Sequence, residues 1–453
     1  MSDQAGAAEL TAAYVEECRA GDGRLRGVMR LVRERLNEPM AASIGHRLFP
    51  RPLFADRREL DAFGADALAI FDMTVSLPQR LFGDDLFGYC AAIQMPPAVV
   101  PVALRGYGTA KEPTYGRADM YHDGTRFQLL EFNIDSQIGG LDNGGEIPRL
   151  LAGTEAFRRF MADRDVGFVH PVECLAATLR KLAAPLAAGR DPAVAMLQLR
   201  RLPSDSKDYL GRLSLQHVLR RLGINVQLGF LDQIEEREGR LYLADGPIDV
   251  VLRLFGGYEM LIEPGGRQLA EPLLRAAEQG SVVLWTPLTS LLFMSKRCLA
   301  LLSDPRYHDR FSAGELAVID RVVPWTRALD SGTGEAELAE WRRDKDNLVI
   351  KPSFSYSGEG FVAGWRSTEQ EWAEALAAAA YIGAVVQRRI VPQPEPMVNP
   401  DTGELADWHA AWGLFVAPDG YAGAYVRLLP ADASPVINFH ASPETRVGGV
   451  FVT

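Results

Sequence analysis

The sequence predicts a mixed α+β / α/β protein of several lobes, and three observations carry that expectation. A largely apolar run, AVAMLQL at 193–199, is followed by an amphipathic segment at 210–223 and by strand-like runs at 224–231 and 247–255. Strand, helix and strand with an apolar first strand is the pattern of a small parallel α/β unit. The stretch 115–135 instead alternates polar and apolar residues with period two, as strands of a hairpin do, whereas 8–37 and 56–80 carry helical spacing. At 453 residues the chain is too long for one ordinary core, so two or three lobes are expected.

Taken in order, residues 8–37 read as mostly helical. Leu10 and Tyr14 are spaced for one face, Leu25, Met29, Val32 and Leu36 for another, with a break at Gly21-Asp22-Gly23. Residues 56–80 read as a further helix stopped near Pro78. The segment 95–104, MPPAVVPVAL, has too many prolines for a central strand and reads as a linker or edge. Helical patterns return at 145–163 and 171–187, and the helix of the parallel unit closes on Gly223. After Pro287 comes a helix carrying Lys296, then a charged stretch at 330–347 leading into a third lobe. That lobe holds LVIKPSFSYSGEGFVAGW (348–365), a helix at 368–380 and AVVQRRIV (384–391), and the runs GLFVA and AYVRLLP read as strands between Gly and Pro turns.

The composition, 47% apolar and 24% charged, is that of a folded soluble protein. The net charge, 48 − 59 = −11, argues against a nucleic-acid partner held by a general basic surface, though a local cluster of cations and metal can still bind a polyphosphate. Cys18, Cys90, Cys174 and Cys298 form no CxxC pair, which suggests neither a zinc site nor a disulfide framework and fits a reducing compartment. The N-terminus lacks the basic start and apolar core of a secretory signal, and no apolar run reaches the ~18 residues needed to span a bilayer. A cytoplasmic location without a membrane partner is the expectation.

The chemistry-bearing residues concentrate in YGRADMYHDGTRFQLLEFNIDS (115–136). Arg117, Asp119 and Tyr121 share one strand face, Glu131, Asn133 and Asp135 share another, and Asp123-Gly124 marks the turn between them. An odd-length loop centred on Thr125 would set Asp119 opposite Glu131. Two carboxylates and an amide oxygen on one face suit Mg²⁺ bridged to phosphates, and the arginine suits a phosphate oxygen. The competing reading, a solvated hairpin face, sits poorly with polar residues that alternate with Leu130, Phe132 and Ile134.

Lys351 ends an apolar run and opens a Ser/Gly loop, whose backbone N–H groups can approach phosphates, although such a loop is more often a simple turn. AVVQRRIVPQP (384–394) reads either as an interlobe hinge with backbone exposed to an adenine edge or as a strand end. Lys296 and Arg427, each taken alone, read as surface cations. No HExxH spacing and no GxSxG element are present.

In order and character these pieces resemble the circularly permuted ATP-grasp group that includes the glutathionylspermidine synthetase domain. The family pattern is an arginine, an acid two residues on and Glu-x-Asn-x-Asp on the next strand, which Arg117, Asp119 and Glu131-Phe-Asn133-Ile-Asp135 match. A small α/β domain follows, then an (Asn/Ser)-Lys, a Lys-Pro with a Gly-rich loop, a strand ending in Gln and a closing (Ile/Val)-Arg with a later Asn. Residues 193–260, Ser295-Lys296, Lys351-Pro352, Gly358 and Gly360, Gln387, Val426-Arg427 and Asn438 supply them. The family's Gly-Arg-Glu-Gly loop stands here as Tyr-Ser-Gly-Glu-Gly (356–360), with no counterpart of its arginine.

The resemblance covers roughly residues 115–440 and implies an ATP-grasp fold there. With the N-terminal region, read as helical from its spacing alone and matching nothing in the family pattern, the chain divides into four parts. These are a helical N-terminal region (1–110), the metal- and phosphate-binding hairpin with its helices (111–190), a small parallel α/β pre-ATP-grasp domain on the substrate side (191–285) and the nucleotide-binding lobes (286–453). The resemblance implies that Asp119, Glu131 and Asn133 bind Mg²⁺ and that Arg117 and Arg427 steady the transferring phosphate. Lys296, Lys351 and the loop with Ser357, Gly358 and Gly360 hold nucleotide phosphates, and Gln387 with the backbone near Ile390 meets adenine. The implied activity is an ATP-dependent, ADP-forming carboxylate–amine ligase that joins an acid, an amino acid or short peptide, to an amine through an acyl-phosphate. The alternatives are a small-molecule kinase and a non-catalytic ATP-grasp protein that binds a ligand.

Overall fold

The computed structural model describes residues 6–20, 24–108, 115–244, 246–355, 358–439 and 441–453, so the expected break at Gly21-Asp22-Gly23 lies outside the described residues. The alternating stretch forms a hairpin of Gly116–His122 and Phe127–Asn133. Gly116–His122 pairs on its other edge with Leu405–Ala417, which continues antiparallel to Gly420–Pro430 and then Arg446–Gly448. Pro394–Val398 pairs along another part of Leu405–Ala417 and completes a six-stranded antiparallel sheet. One face of this sheet, with Ala118, Met120, Leu129, Phe132, Trp412, Leu414, Val426 and Leu428, is buried in the largest apolar core. By strand alternation the other face carries Arg117, Asp119, Glu131 and Asn133, joined from the neighbouring strands by Gly413, Tyr425 and Arg427.

Asp119 does stand opposite Glu131, but not through an odd-length loop. His122 pairs with Phe127 across the four residues Asp123–Arg126, whose turn is held by the Asp123 carboxylate accepting from the amides of Thr125 (2.8 Å) and Arg126 (2.9 Å). The register 120↔129 then shifts to 119↔131, so Leu130 is the extra residue of a β-bulge. The bulge supplies the one-residue offset that the turn does not.

Three further expectations are corrected. The helix expected to stop near Pro78 runs Arg57–Phe82 and ends at Gly83, which has φ 58°. Pro78 removes one amide donor, but Leu77, Pro78 and the neighbouring Leu81 and Phe82 are packed into the core, and that burial outweighs one lost hydrogen bond. The segment 95–104 is neither linker nor edge: it contains the short helix Val100–Ala103, with Val99, Val100, Val102 and Ala103 buried. The pattern at 145–163 is two helices, Leu141–Ala152 and Glu155–Phe160, the second capped by Thr154.

The parallel unit forms as its apolar strands require. Val283–Trp285, Val250–Arg253, Ala193–Gln198 and Asn225–Phe230 lie side by side, all parallel, with the helix Lys207–Arg221 between the last two in sequence. A third, antiparallel sheet orders Thr326–Leu329, Ala384–Arg388, Leu348–Pro352 and Val362–Ala363. Trp341 and Trp372 are buried in its own apolar cluster, with the helix Glu369–Ile382 packed on it. Leu53–Ala55 pairs in parallel with Val450–Val452 and ties the segment that follows the first helices to the last described strand. No helix among the described residues is long and apolar enough to cross a membrane.

Candidate active site

A cleft of about 1500 Å³ opens where the polar face of the six-stranded sheet, the parallel unit and the third sheet meet. At its floor Arg117 grips Asp119 with two hydrogen bonds (2.5 and 2.9 Å), and Arg427 donates to the same carboxylate at 2.8 Å. Both guanidinium groups lie near the Tyr425 ring, at 5.4 and 5.5 Å, and Arg117 also donates to the Gly139 carbonyl at 2.9 Å. Arg427, expected as a surface cation when taken alone, is therefore buried. Burial by itself would raise the Asp119 pKa, but Arg117 and Arg427 more than offset it and bring it down to about 2. Glu131 is also held below its ordinary value, because burial is outweighed chiefly by Lys296, whose Nζ lies 3.4 Å away. Both carboxylates are thus ionised at neutral pH.

Lys296, likewise no free surface cation, donates to the carbonyl of Ser355 at 3.1 Å. Lys351 reaches across to the hairpin and donates to the carbonyl of Leu130, the bulge residue, at 3.0 Å. Its second partner is Gln387 Oε1 at 2.7 Å, while Gln387 Nε2 donates to Thr326 Oγ1 at 3.0 Å. Burial above all, aided by Lys296 and only partly offset by Glu131 and Asp119, lowers the Lys351 pKa to about 8. Gln387, expected at an adenine, is only 2% exposed and has both ends of its amide engaged, so its side chain positions Lys351.

Arg117, Asp119, Glu131, Asn133, Lys296, Lys351, Gly358, Gln387, Ile390, Arg427 and Asn438 all line the one cleft. Gly360 is not among the lining residues: it turns with φ 71°, where an added Cβ would lie 2.6 Å from Pro352. Ser357 lies outside the described residues. The donor set fits Mg²⁺ bound together with a phosphate better than a metal held by protein alone. Among the described residues no three His, Cys, Asp or Glu side chains are grouped to hold an ion. Asp119, Glu131 and Asn133 supply two carboxylates and an amide, and Mg²⁺ takes its remaining ligands from water and phosphate. Among the described residues the buried Asn133 Nδ2 and Arg427 Nε have no acceptor.

Several contributors to the site were not legible in the sequence. Gly413 pairs with Asp119 from the neighbouring strand, and an added Cβ would lie 2.5 Å from Tyr425 and 2.9 Å from Arg117. Gly140, at φ 95°, gives the Tyr425 ring similar room. Arg253, fully buried in the parallel unit, pairs at 3.1 Å with Asp135, the last residue of the Glu-x-Asn-x-Asp pattern, and it was this partner that the sequence did not show. Tyr115 and Trp285 line the cleft with ring centroids 4.7 Å apart, and neither Tyr115 Oη nor Trp285 Nε1 has a partner among the described residues. Glycines and aromatics carry no chemical signature in a sequence, and these meet only through long-range pairing.

A family model described as glutathionylspermidine synthase preATP-grasp matches residues 53–429. No curated protein matches the chain. Among solved structures, the apo form of a glutathione synthetase-like effector from Globodera pallida aligns with a TM-score of 0.59 at 13% identity, covering 94% of this chain and 97% of that one. That likeness concerns the fold alone. A Methylobacillus flagellatus protein, provisionally assigned as a gamma-glutamylcysteine synthetase, aligns with a TM-score of 0.42 at 12% identity over 82% of this chain and 85% of its own, a likeness too weak to bear on either fold or function.

Proposed function

On the premise that the chain belongs to the glutathionylspermidine synthase preATP-grasp family, we propose that it is an ATP-dependent, ADP-forming ligase that joins a small carboxylic acid to an amine. The observation that carries this reading is the convergence, in one cleft, of Asp119, Glu131 and Asn133 with Arg117, Arg427, Lys296 and Lys351. Acceptors for one cation and donors for several phosphate oxygens lie side by side, which is the requirement of phosphoryl transfer.

ATP enters as a substrate, its phosphates met by Lys296, Lys351 and the loop at Gly358. Asp119, Glu131 and Asn133 would hold Mg²⁺ there, and the bound ion neutralises phosphate charge. The acid's carboxylate is steered by Arg117 and Arg427 onto the γ-phosphorus, ADP leaves and an acyl-phosphate forms. The amine then attacks the acyl carbon, loses a proton and expels phosphate, leaving the amide. Arg117 and Arg427 stay next to the negative oxygens in both steps and are already anchored by Asp119 and Tyr425, so little reorganisation is needed.

The reading is tested by incubating the protein with Mg·ATP and a pool of amino acids, short peptides and small acids, with and without amines, and following nucleotide products. Amine-dependent ADP formation is expected. AMP as the product would contradict it, and ADP formed at the same rate without any amine would favour a small-molecule kinase.

A further inference from the structure

On the side of the cleft formed by the parallel unit lies a group of cations that the proposed chemistry does not use. Arg200 and Lys207 are exposed, Arg212 is half-buried, and all three line the cleft. They sit where the parallel sheet delivers them: Arg200 follows the carboxyl end of Ala193–Gln198, and Lys207 and Arg212 lie on the helix that succeeds it. The crevice at the carboxyl ends of parallel strands is where α/β sheets take ligands.

None of the three forms an ion pair with a carboxylate among the described residues. Arg212 instead donates to two neutral amides, the oxygens of Gln198 and of Gln137 (3.2 Å). Burial lowers its pKa, and the nearest acids, Glu259 and Asp208, only partly compensate. Glu259 also lines this side, but its oxygens accept from the backbone amides of Arg200 (3.1 Å) and Gly256 (3.4 Å), and burial raises its pKa. A second observation points the same way. Gln198 is fully buried behind Arg212, and its Nε2 has no acceptor among the described residues. The groups short of a partner here are donors.

We infer that this side of the cleft is a carboxylate-binding subsite, formed by Arg200, Lys207 and Arg212, which anchors an anionic group of a substrate other than the carboxylate that reacts. The subsite repels a polyamine. The inference deepens the ligase reading, since it takes the cleft to be the substrate site.

The test titrates the full chain by calorimetry with glutarate, glutaramide and spermidine, in the wild type and in the Arg212→Met and Lys207→Met variants. Lys207 is exposed, so its variant guards against misfolding in the other. Glutarate is expected to bind the wild type, more weakly as salt is raised, and at least tenfold more weakly in each variant. Glutaramide is expected to bind at least tenfold more weakly than glutarate. Equal glutarate affinity in wild type and Lys207→Met, glutaramide binding as well as glutarate, or spermidine binding that is lost in the variants would overturn the subsite, as would no glutarate binding to the wild type. The ligase reading fails separately: glutarate binding that depends on these cations, in a protein that forms no ADP with any acid and amine, keeps the subsite and removes the reaction.

Discussion

Single residues of the site divide into those that carry the fold and those that can be changed without it. Asp119 belongs to the first kind, because it neutralises two buried arginines at once. Asp119→Asn is expected to cost about 3–5 kcal/mol, read by urea unfolding, since the guanidinium groups would stay buried without their counter-charge. Its folded pKa of about 2 lies below the ordinary carboxylate value. Its contribution is thus complete above pH ~4 and lost as pH falls toward about 2, a loss that Asp119→Asn should not show. Glu131 belongs to the second kind, being half-buried and paired only at 3.4 Å. Glu131→Gln should unfold like the wild type yet lose about 10²–10³ in kcat, and near-wild-type turnover would remove it from the metal site. Lys351 makes a pH prediction of opposite sign. It is a cation below a pKa of about 8, so ATP affinity should be level at lower pH and fall as pH rises through 8, with proton uptake on binding at alkaline pH. Calorimetry in buffers of different ionisation enthalpy measures both, and pH-independent affinity from 7 to 10 would contradict the assignment.

The elements show what periodicity can and cannot read. Alternation in 115–135 was enough to place Arg117 and Asp119 on one face of their strand and Glu131 and Asn133 on one face of theirs, but the two carboxylates were opposed only through an assumed odd-length turn. It could not show that the offset comes from a bulge at Leu130, because a bulge leaves the same composition as a longer turn. That detail matters, since the bulge carbonyl is what Lys351 donates to. Gln387 likewise stood out by its place at a strand end, but only the pairing of its strand with both Thr326–Leu329 and Leu348–Pro352 puts it between Thr326 and Lys351. Gln387→Met should therefore raise the ATP KM by about 10- to 100-fold through loss of a hydrogen bond to a charged group. An unchanged KM would mean that Leu130 holds Lys351 unaided. Gly413 was invisible for a different reason: its role is the space it leaves for Arg117 and Tyr425. Gly413→Ala is expected to cost about 1–3 kcal/mol by overpacking and to lower activity further by displacing Arg117.

Across the whole molecule, the parallel unit was legible because apolar strands and an amphipathic helix follow one another locally. The assembly of the six-stranded sheet was not, since the hairpin at 116–133 pairs with a strand at 405–417 that follows the parallel unit in sequence. The closing of the N-terminal region on the C-terminal strand was equally hidden, as Phe451 packs among Phe54, Phe157 and Phe168. Phe451→Ala should cost about 3–5 kcal/mol without touching the cleft, and the native fraction at low temperature should keep its activity. The family and the fold place this assembly among pre-ATP-grasp proteins, and the cleft's chemistry leads to one central claim, that the bound acid is activated as an acyl-phosphate. The most direct measurement adds hydroxylamine to the protein with Mg·ATP and a pool of small acids and peptides, and analyses the products by mass spectrometry. A hydroxamate of one acid, formed in step with ADP and absent in Glu131→Gln, is the predicted result. A hydroxamate formed with AMP, or ADP formed with no hydroxamate from any acid, would contradict the account.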